Sequence, residues 1–66
     1  MTIIFNQTAI NFDGNTLIDL LKRTGQDKSE AIVITVNRKI IPEKNWKSHR
    51  LEELDVVHTI LPIYGG

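Results

Sequence analysis

The chain contains no cysteine, few glycines and prolines, and no excess charge, since its eight basic residues balance eight acidic ones. Without thiols, neither disulfides nor thiolate zinc sites can stabilise it, so apolar side chains must do so. The balanced charge creates no overall field that would attract nucleic acid or a membrane. A length of 66 residues allows one domain, and the 41% apolar content is typical of a folded one.

Sequence features of export and of self-contained catalysis are also missing. The opening stretch MTIIFNQTAI has no basic start, long apolar run or small-residue cleavage site, so we expect a cytoplasmic protein without a membrane partner. His49 and His58 are far apart and have no neighbouring thiol or spaced carboxylates. No phosphate-binding loop or nucleophile motif occurs. We therefore predict no catalytic residue, no metal site and no bound cofactor.

The first half of the chain predicts a hairpin followed by a helix. Alternation places Met1, Ile3 and Phe5 on one strand face, and the polar NQT before TAINF suits a tight turn. The period then changes, and the face of a helix is formed by Leu17, Leu20, Leu21 and Thr24. Asn15 or Thr16 caps its start, and Gly25 suits its left-handed end.

The second half predicts three further strands. AIVITVN is a β-branched run typical of a central strand, NRK suits a turn, and KII is a short strand that Pro42 ends. EKNWKSHRL has no clean period and indicates a loop with one helical turn, with Trp46 packed under it. DVVHTIL forms the last strand. The order ββ-α-ββ-β predicts an α+β fold with a mixed sheet of four to five strands and one helix on one face.

Two surfaces are candidates for partner binding. One helix covers only one side of a sheet, so one face of the last strand is expected to form an exposed apolar patch. The two alternatives are the face with Val56, His58 and Ile60 and the face with Val57, Thr59 and Leu61. Residues 38–50, hereafter the basic segment, hold five basic side chains against Glu43 alone. This pattern favours a solvated loop or a docking surface for an acidic protein over an RNA site.

The chain ends Ile63-Tyr64-Gly65-Gly66. Two glycines after Pro62 make a thin tail that can thread a narrow channel, and we predict a domain over 1–62 and a flexible tail over 63–66. The Gly66 carboxylate is ionised at neutral pH, but it needs activation, such as attack on the α-phosphate of ATP, before acyl transfer. Glycine leaves that carbonyl unshielded.

The order of elements with a projecting Gly-Gly resembles the ubiquitin-like β-grasp fold, and above all the ThiS family of thiamine-biosynthesis sulfur carriers. The likeness covers nearly the whole chain through IIFN, TLIDLLKR, VITVNRKIIPEKNW and LEELDVVHTILPIYGG. The positions that match the family pattern without a gap are Asn37, Ile41, Pro42, Trp46, Leu51, Asp55, Gly65 and Gly66.

This resemblance implies that Gly66 is adenylated with ATP by an E1-like enzyme of the ThiF type and converted to a thiocarboxylate. A sulfur donor protein would supply the sulfur, and a thiazole synthase of the ThiG type would receive it. Ile63, Tyr64 and Gly65 would be the threaded tail. The loop around Trp46 and the face bearing Val56, His58 and Ile60 are the docking candidates.

The sequence departs from the family pattern at two positions. Leu54 stands where a glycine usually precedes Asp55, which predicts another turn geometry or an added core contact. Tyr64 is larger than the usual residue before Gly-Gly and bears on which enzymes accept the tail. The alternatives are a MoaD-like carrier for molybdopterin synthesis, a ubiquitin-like covalent modifier and a noncovalent binding module.

Overall fold

The computed structural model describes residues 1–26 and 32–60 of the chain. Its elements are β1 (Thr2–Phe5), β2 (Thr8–Asn11), α1 (Leu17–Thr24), β3 (Val33–Val36), β4 (Lys39–Ile41), a short 3-10 helix (Glu43–Asn45) and β5 (Val56–Ile60). The predicted order of elements is confirmed. The predicted boundary at residue 62 and the tail over 63–66 lie outside the described residues.

The five strands form one mixed sheet in the order β2-β1-β5-β3-β4. β1 and β5 pair in parallel, and the other neighbours are antiparallel. β5, the last strand within the described residues, therefore lies at the centre of the sheet, between the two hairpins. This arrangement confirms the predicted α+β β-grasp architecture, in which a single helix crosses one face of a mixed sheet.

Both hairpins turn through two residues with positive φ, as type I′ turns require. Asn6 and Gln7 have φ of 47° and 71°, and Asn37 and Arg38 have φ of 51° and 71°. Asparagine tolerates this left-handed region better than most residues because its short polar side chain can bond locally. The turns predicted at NQT and NRK are thus confirmed. Each contains two residues, whereas three were predicted, because Thr8 and Lys39 already belong to the following strands.

The helix follows its sequence signals closely. Thr16 is the N-cap, and its hydroxyl accepts a hydrogen bond from the Asp19 N–H while the Asp19 carboxylate accepts from the Thr16 N–H. This is the reciprocal capping box. Gly25 ends the helix at φ 78°, the left-handed conformation in which glycine carries no side-chain strain. The predicted boundaries at both ends are confirmed.

The core lies between α1 and one face of the sheet. Helix residues Leu17, Leu20 and Leu21 are fully buried. They belong to one cluster with residues from the strands and the irregular segment: Ile3, Phe12, Ile34, Val36, Trp46, Leu51 and Val57. A domain of this size has little apolar surface to bury, so each of these side chains contributes substantially to stability.

The segment between β4 and β5 is held against the start of the helix by backbone hydrogen bonds. The Leu17 N–H donates to the carbonyl of His49, and the Ile18 N–H donates to that of Trp46. These are two of the N–H groups that a helix start leaves without an intrahelical acceptor. The irregular segment therefore supplies hydrogen-bond acceptors to the N-terminus of the helix, and the same two bonds hold the segment in place.

Trp46 is only 6% exposed, and its indole N–H donates to the Ile41 carbonyl at 2.8 Å. The predicted packing under the loop is confirmed. Partner docking at this position stays a prediction; because the ring is buried and its N–H is bonded, Trp46 itself offers little surface for such a contact.

Leu54 adopts φ 66°, the left-handed conformation that glycine takes without strain. The backbone here follows the course open to a glycine, so the leucine does not require a different turn. Its side chain is 60% exposed, so the expected core contact is wrong. The leucine at this position is strained and solvent-facing.

Candidate functional site

The strand register determines which sheet face the helix leaves uncovered. Residues paired across neighbouring strands share a face, and successive residues alternate. Val57 is fully buried against the helix side, so Val56, His58 and Ile60 point to the other side. Their partners in the register are Ile4 opposite Val56, Thr35 opposite His58 and Val33 opposite Ile60.

We call this surface the open face; it comprises Ile4, Val33, Thr35, Ile40, Val56, His58 and Ile60. Ile40 and Ile60 are 67% and 50% exposed, and His58 and Val56 are half-buried. Thr35 is 9% exposed, between His58 on one neighbouring strand and Ile40 on the other. Apolar side chains exposed side by side on a sheet are typical of protein-binding surfaces.

The sequence left open which alternate residues of the last strand face away from the helix. In the structure Val56, His58 and Ile60 lie together on the uncovered side. The structure also adds Ile4 and Ile40, which the sequence reading missed. The signal for Ile40 was present in the two-residue turn at Asn37 and Arg38, because that turn places residue 40 opposite residue 35. Ile4 could not be placed in advance, since its pairing with β5 is long-range.

Two asparagine side chains fasten β5 between the hairpins. The Asn37 Oδ1 accepts from the Val56 N–H at 3.0 Å, while the Asn37 N–H donates to the Val56 carbonyl. The Asn6 Oδ1 accepts from the Thr59 N–H at 2.9 Å, and its Nδ2 donates to the Thr59 hydroxyl. Each asparagine thus holds the strand from which the terminal segment continues.

In both cases the side-chain oxygen stands in for a backbone carbonyl. A regular ladder would supply the carbonyl of residue 6 or 37 to β5. The left-handed turn diverts that carbonyl, and the side chain restores the bond. The Asn37 Nδ2 also donates to Asp55 Oδ1 at 2.9 Å, and Asp55 Oδ2 accepts from the Glu52 N–H at 2.8 Å. The start of β5 is therefore rigidly positioned.

Among the residues that the structure describes, no group of three His, Asp or Glu side chains could hold a metal ion. No helix in that part is long and apolar enough to cross a membrane. His49 and His58 are not brought together into one site, since His58 lies on the open face and His49 lines a groove on the other side of β4. Ile63, Tyr64, Gly65 and Gly66 lie outside the described residues.

Comparison with known proteins identifies the family. The model of the ThiS family matches residues 3–66, which is nearly the whole chain. Comparison with functionally curated proteins gave no match.

Two solved structures share the fold. A crystal structure of the thiamine biosynthesis protein ThiS from Geobacter metallireducens superposes with a TM-score of 0.85 at 17% identity, covering 100% of both chains. An NMR solution structure of a thiamine biosynthesis protein from the same organism gives a TM-score of 0.74 at 17% identity, covering 100% of this chain and 88% of the other.

Proposed function

The chain belongs to the ThiS family of small sulfur carrier proteins, and from this premise we propose that it carries sulfur for the thiazole ring of thiamine as a thiocarboxylate on Gly66. The protein is a cosubstrate, and its partners supply the catalysis. The observation that carries the proposal is the extent of the family match, which runs through both terminal glycines.

The chemistry proceeds in two steps on the Gly66 carboxylate. A carboxylate oxygen attacks the α-phosphorus of ATP in an E1-like enzyme of the ThiF type, forming an acyl-adenylate and releasing pyrophosphate. A sulfur donor protein then delivers the equivalent of hydrosulfide to the carbonyl carbon, and AMP leaves. ATP is consumed by the partner and is no cofactor of this chain. Glycine at this position leaves the carbonyl carbon of the acyl-adenylate open to the sulfur nucleophile.

A thiazole synthase of the ThiG type takes the sulfur in the next step. For both transfers the tail of Ile63, Tyr64, Gly65 and Gly66 enters the partner's active site while the folded part docks outside it. We assign this docking to the open face, through Val56, His58 and Ile60. β5 ends at Ile60 and is the strand that precedes the tail in the sequence, so a partner docked on the open face contacts the element to which the tail is joined.

The proposal is tested by the intact mass of the protein after incubation with a ThiF-type enzyme, ATP and a sulfur donor. Replacement of one oxygen by sulfur adds about 16 Da at the C-terminus. The variant lacking Gly66 should gain no mass while keeping its melting temperature, because the core cluster lies within residues 3–57. No gain by the full chain with an active partner would overturn the proposal.

A second arm of the same experiment separates the destinations of the sulfur. Transfer to thiazole synthase supports the thiamine assignment, whereas transfer only to the large subunit of a molybdopterin synthase supports the MoaD-like alternative. Conjugates joined to lysine side chains would identify a covalent modifier. Ile60→Asp tests docking: it places a charge on the open face at a half-exposed position and should slow adenylation without unfolding the protein.

A further inference from the structure

The strand β4 forms one edge of the sheet, and its middle residue has backbone groups that face outward. In a two-residue hairpin the flanking residues, Val36 and Lys39, are a hydrogen-bonded pair. Antiparallel pairs alternate, so Ile40 and Thr35 form a non-hydrogen-bonded pair. The N–H and carbonyl of Ile40 therefore point away from β3 toward solvent. The Ile40 side chain is 67% exposed as well.

Positive charge without a paired carboxylate lies on this edge and in the sequence that follows it. The basic segment carries Arg38, Lys39, Lys44, Lys47 and Arg50, all exposed. Within residues 1–26 and 32–60 none of these side chains forms an ion pair with a carboxylate. Proteins protect an open edge strand with lysine or arginine side chains, but five cations against Glu43 alone exceed what a three-residue strand needs.

A groove of about 290 Å³ lies beside the edge, and Lys39, Ile41, His49 and Arg50 contribute to its lining. Two carboxylates also line it. Both oxygens of Asp55 are occupied by the Asn37 amide and the Glu52 N–H. Of the two carboxylates in the lining, Glu52 alone then remains to balance the positive charges of Lys39 and Arg50. The groove is large enough for one acidic side chain.

We propose that the β4 edge and this groove bind an acidic, extended segment of a partner protein. The segment adds to the sheet as a further strand beside β4, exchanging hydrogen bonds with the Ile40 N–H and carbonyl. Its acidic side chains on the groove side lie against Lys39 and Arg50. Strand addition draws affinity from backbone bonds and specificity from such side-chain contacts.

A protein segment fits this surface better than RNA does. Single-stranded nucleic acid binds through exposed aromatic rings interleaved with cations. In the basic segment the indole of Trp46 is 6% exposed with its N–H bonded within the chain, and the imidazole of His49 is half-buried. A nucleic acid also has no repeating donors and acceptors to match the open edge of a strand. The inference is independent of the sulfur carrier proposal, since it involves the backbone edge of β4 and the groove beside it, whereas the carrier proposal docks its partners through Val56, His58 and Ile60.

The test uses the full-length protein, uniformly labelled with ¹⁵N, and a short blocked peptide of alternating valine and glutamate. Titration should shift the amide signals of Lys39, Ile40 and Ile41, with a Kd of about 1 mM for this generic probe. Raising sodium chloride from about 0.05 to about 0.5 M should weaken binding, because the charges are exposed. The same peptide with lysine in place of glutamate should leave the signals unchanged.

Matched variants distinguish the two contributions. Ile40→Pro removes the outward N–H without breaking a ladder bond, and should weaken binding of the valine-glutamate peptide at least about tenfold. Ala9→Pro is its control, because Ala9 has the same outward-facing position on the opposite edge strand β2. Lys39→Gln with Arg50→Gln should also weaken binding, whereas Lys22→Gln with Arg23→Gln removes equal charge from the helix and should not.

Several results would overturn the proposal. Equal amide shifts with the lysine peptide would show that charge complementarity does not drive binding. Amide shifts confined to Val56–Ile60 would place the peptide on the open face. Unchanged amide signals of β4 at millimolar peptide would exclude strand addition. Tighter binding of a uridine oligonucleotide than of the acidic peptide, at the same salt concentration, would identify the basic segment as an RNA surface.

Discussion

Asn6 and Asn37 occupy the first position of two different turns and solve the same geometric problem. At positive φ the backbone carbonyl leaves the plane of the ladder, and the neighbouring strand β5 would lose an acceptor. The Oδ1 atom of each side chain provides that acceptor instead, to Thr59 and Val56 respectively. Glycine would accommodate either turn equally well, so it is the side-chain bond that accounts for asparagine here.

We predict that Asn37→Gly lowers the free energy of unfolding by about 1–2 kcal/mol, because it removes the bonds to the Val56 N–H and to Asp55 while preserving the turn. Chemical denaturation measures the change. Arg38→Gly is the control: the same substitution at φ 71° removes no backbone-directed side-chain bond and relieves strain. Equal losses from both variants would show that glycine flexibility, and not the side-chain bonds, causes the effect.

Leu54 illustrates a residue kept in an unfavourable backbone conformation. A left-handed conformation costs an L-residue about 1–2 kcal/mol, and an exposed leucine side chain offers no packing to offset it. We predict that Leu54→Gly raises the free energy of unfolding by about 1 kcal/mol, with the gain limited by the greater freedom of the unfolded glycine. Leu54→Ala keeps a Cβ at φ 66° and should give no such gain; an equal gain would trace the effect to the exposed side chain.

At the scale of the element, the helix shows how local and distant partners share the task of capping. Asp19 and Thr16 are separated by three residues, so their bonds could be anticipated from the sequence. The acceptors of the Leu17 and Ile18 N–H groups are carbonyls of His49 and Trp46, about thirty positions away. A helix of eight residues is marginal by itself, and the segment before β5 helps to hold it in place.

The capping box gives the helix a pH-dependent contribution to stability. The pKa of Asp19 lies below its ordinary value because the Thr16 N–H, the Thr16 side chain and the Asn15 N–H stabilise the carboxylate, and Lys22 adds a smaller attraction. A pKa lowered by folding stabilises the protein above the unfolded value of about 3.9. The stabilisation is lost as the pH falls through the lower, folded pKa.

We therefore predict that Asp19→Asn lowers the melting temperature at neutral pH, and that the difference from the unmodified chain shrinks as the pH falls below about 3.9. Circular dichroism melts across an acid series measure both. Asp13→Asn removes an equal charge outside the capping box and should leave the neutral melting temperature unchanged. A deficit for Asp19→Asn that stays constant down to about pH 2 would contradict the electrostatic account.

At the scale of the whole molecule, the fold separates stability from recognition. One helix can cover only one face of a five-stranded sheet, and the apolar cluster on that side holds the domain together. The open face and the β4 edge contribute little to that cluster, so their side chains are available to partners. Substitutions there should alter binding much more than unfolding, which is why the variants at Ile40 and Ile60 are informative.

The sequence by itself determined the type and order of the elements, because those depend on short-range physics. Period-two alternation identified the strands, the spacing of Leu17, Leu20 and Leu21 identified the helix, and Thr16 and Gly25 marked its ends. The family pattern around Asn37 and Pro42 identified the fold. Such signals are contained within a few neighbouring residues, so they can be recognised without knowing which distant parts of the chain pack against them.

Only the tertiary structure decided what those elements present to a partner. Trp46 is buried because a distant helix and β4 enclose it, and Val56, His58 and Ile60 face outward because β5 pairs with β1 and β3 in one register. Leu54 is left-handed in a turn whose Leu54 N–H donates to the carbonyl of the distant Thr2 at 2.7 Å. Each outcome depends on contacts between residues far apart in the chain, which no local pattern encodes.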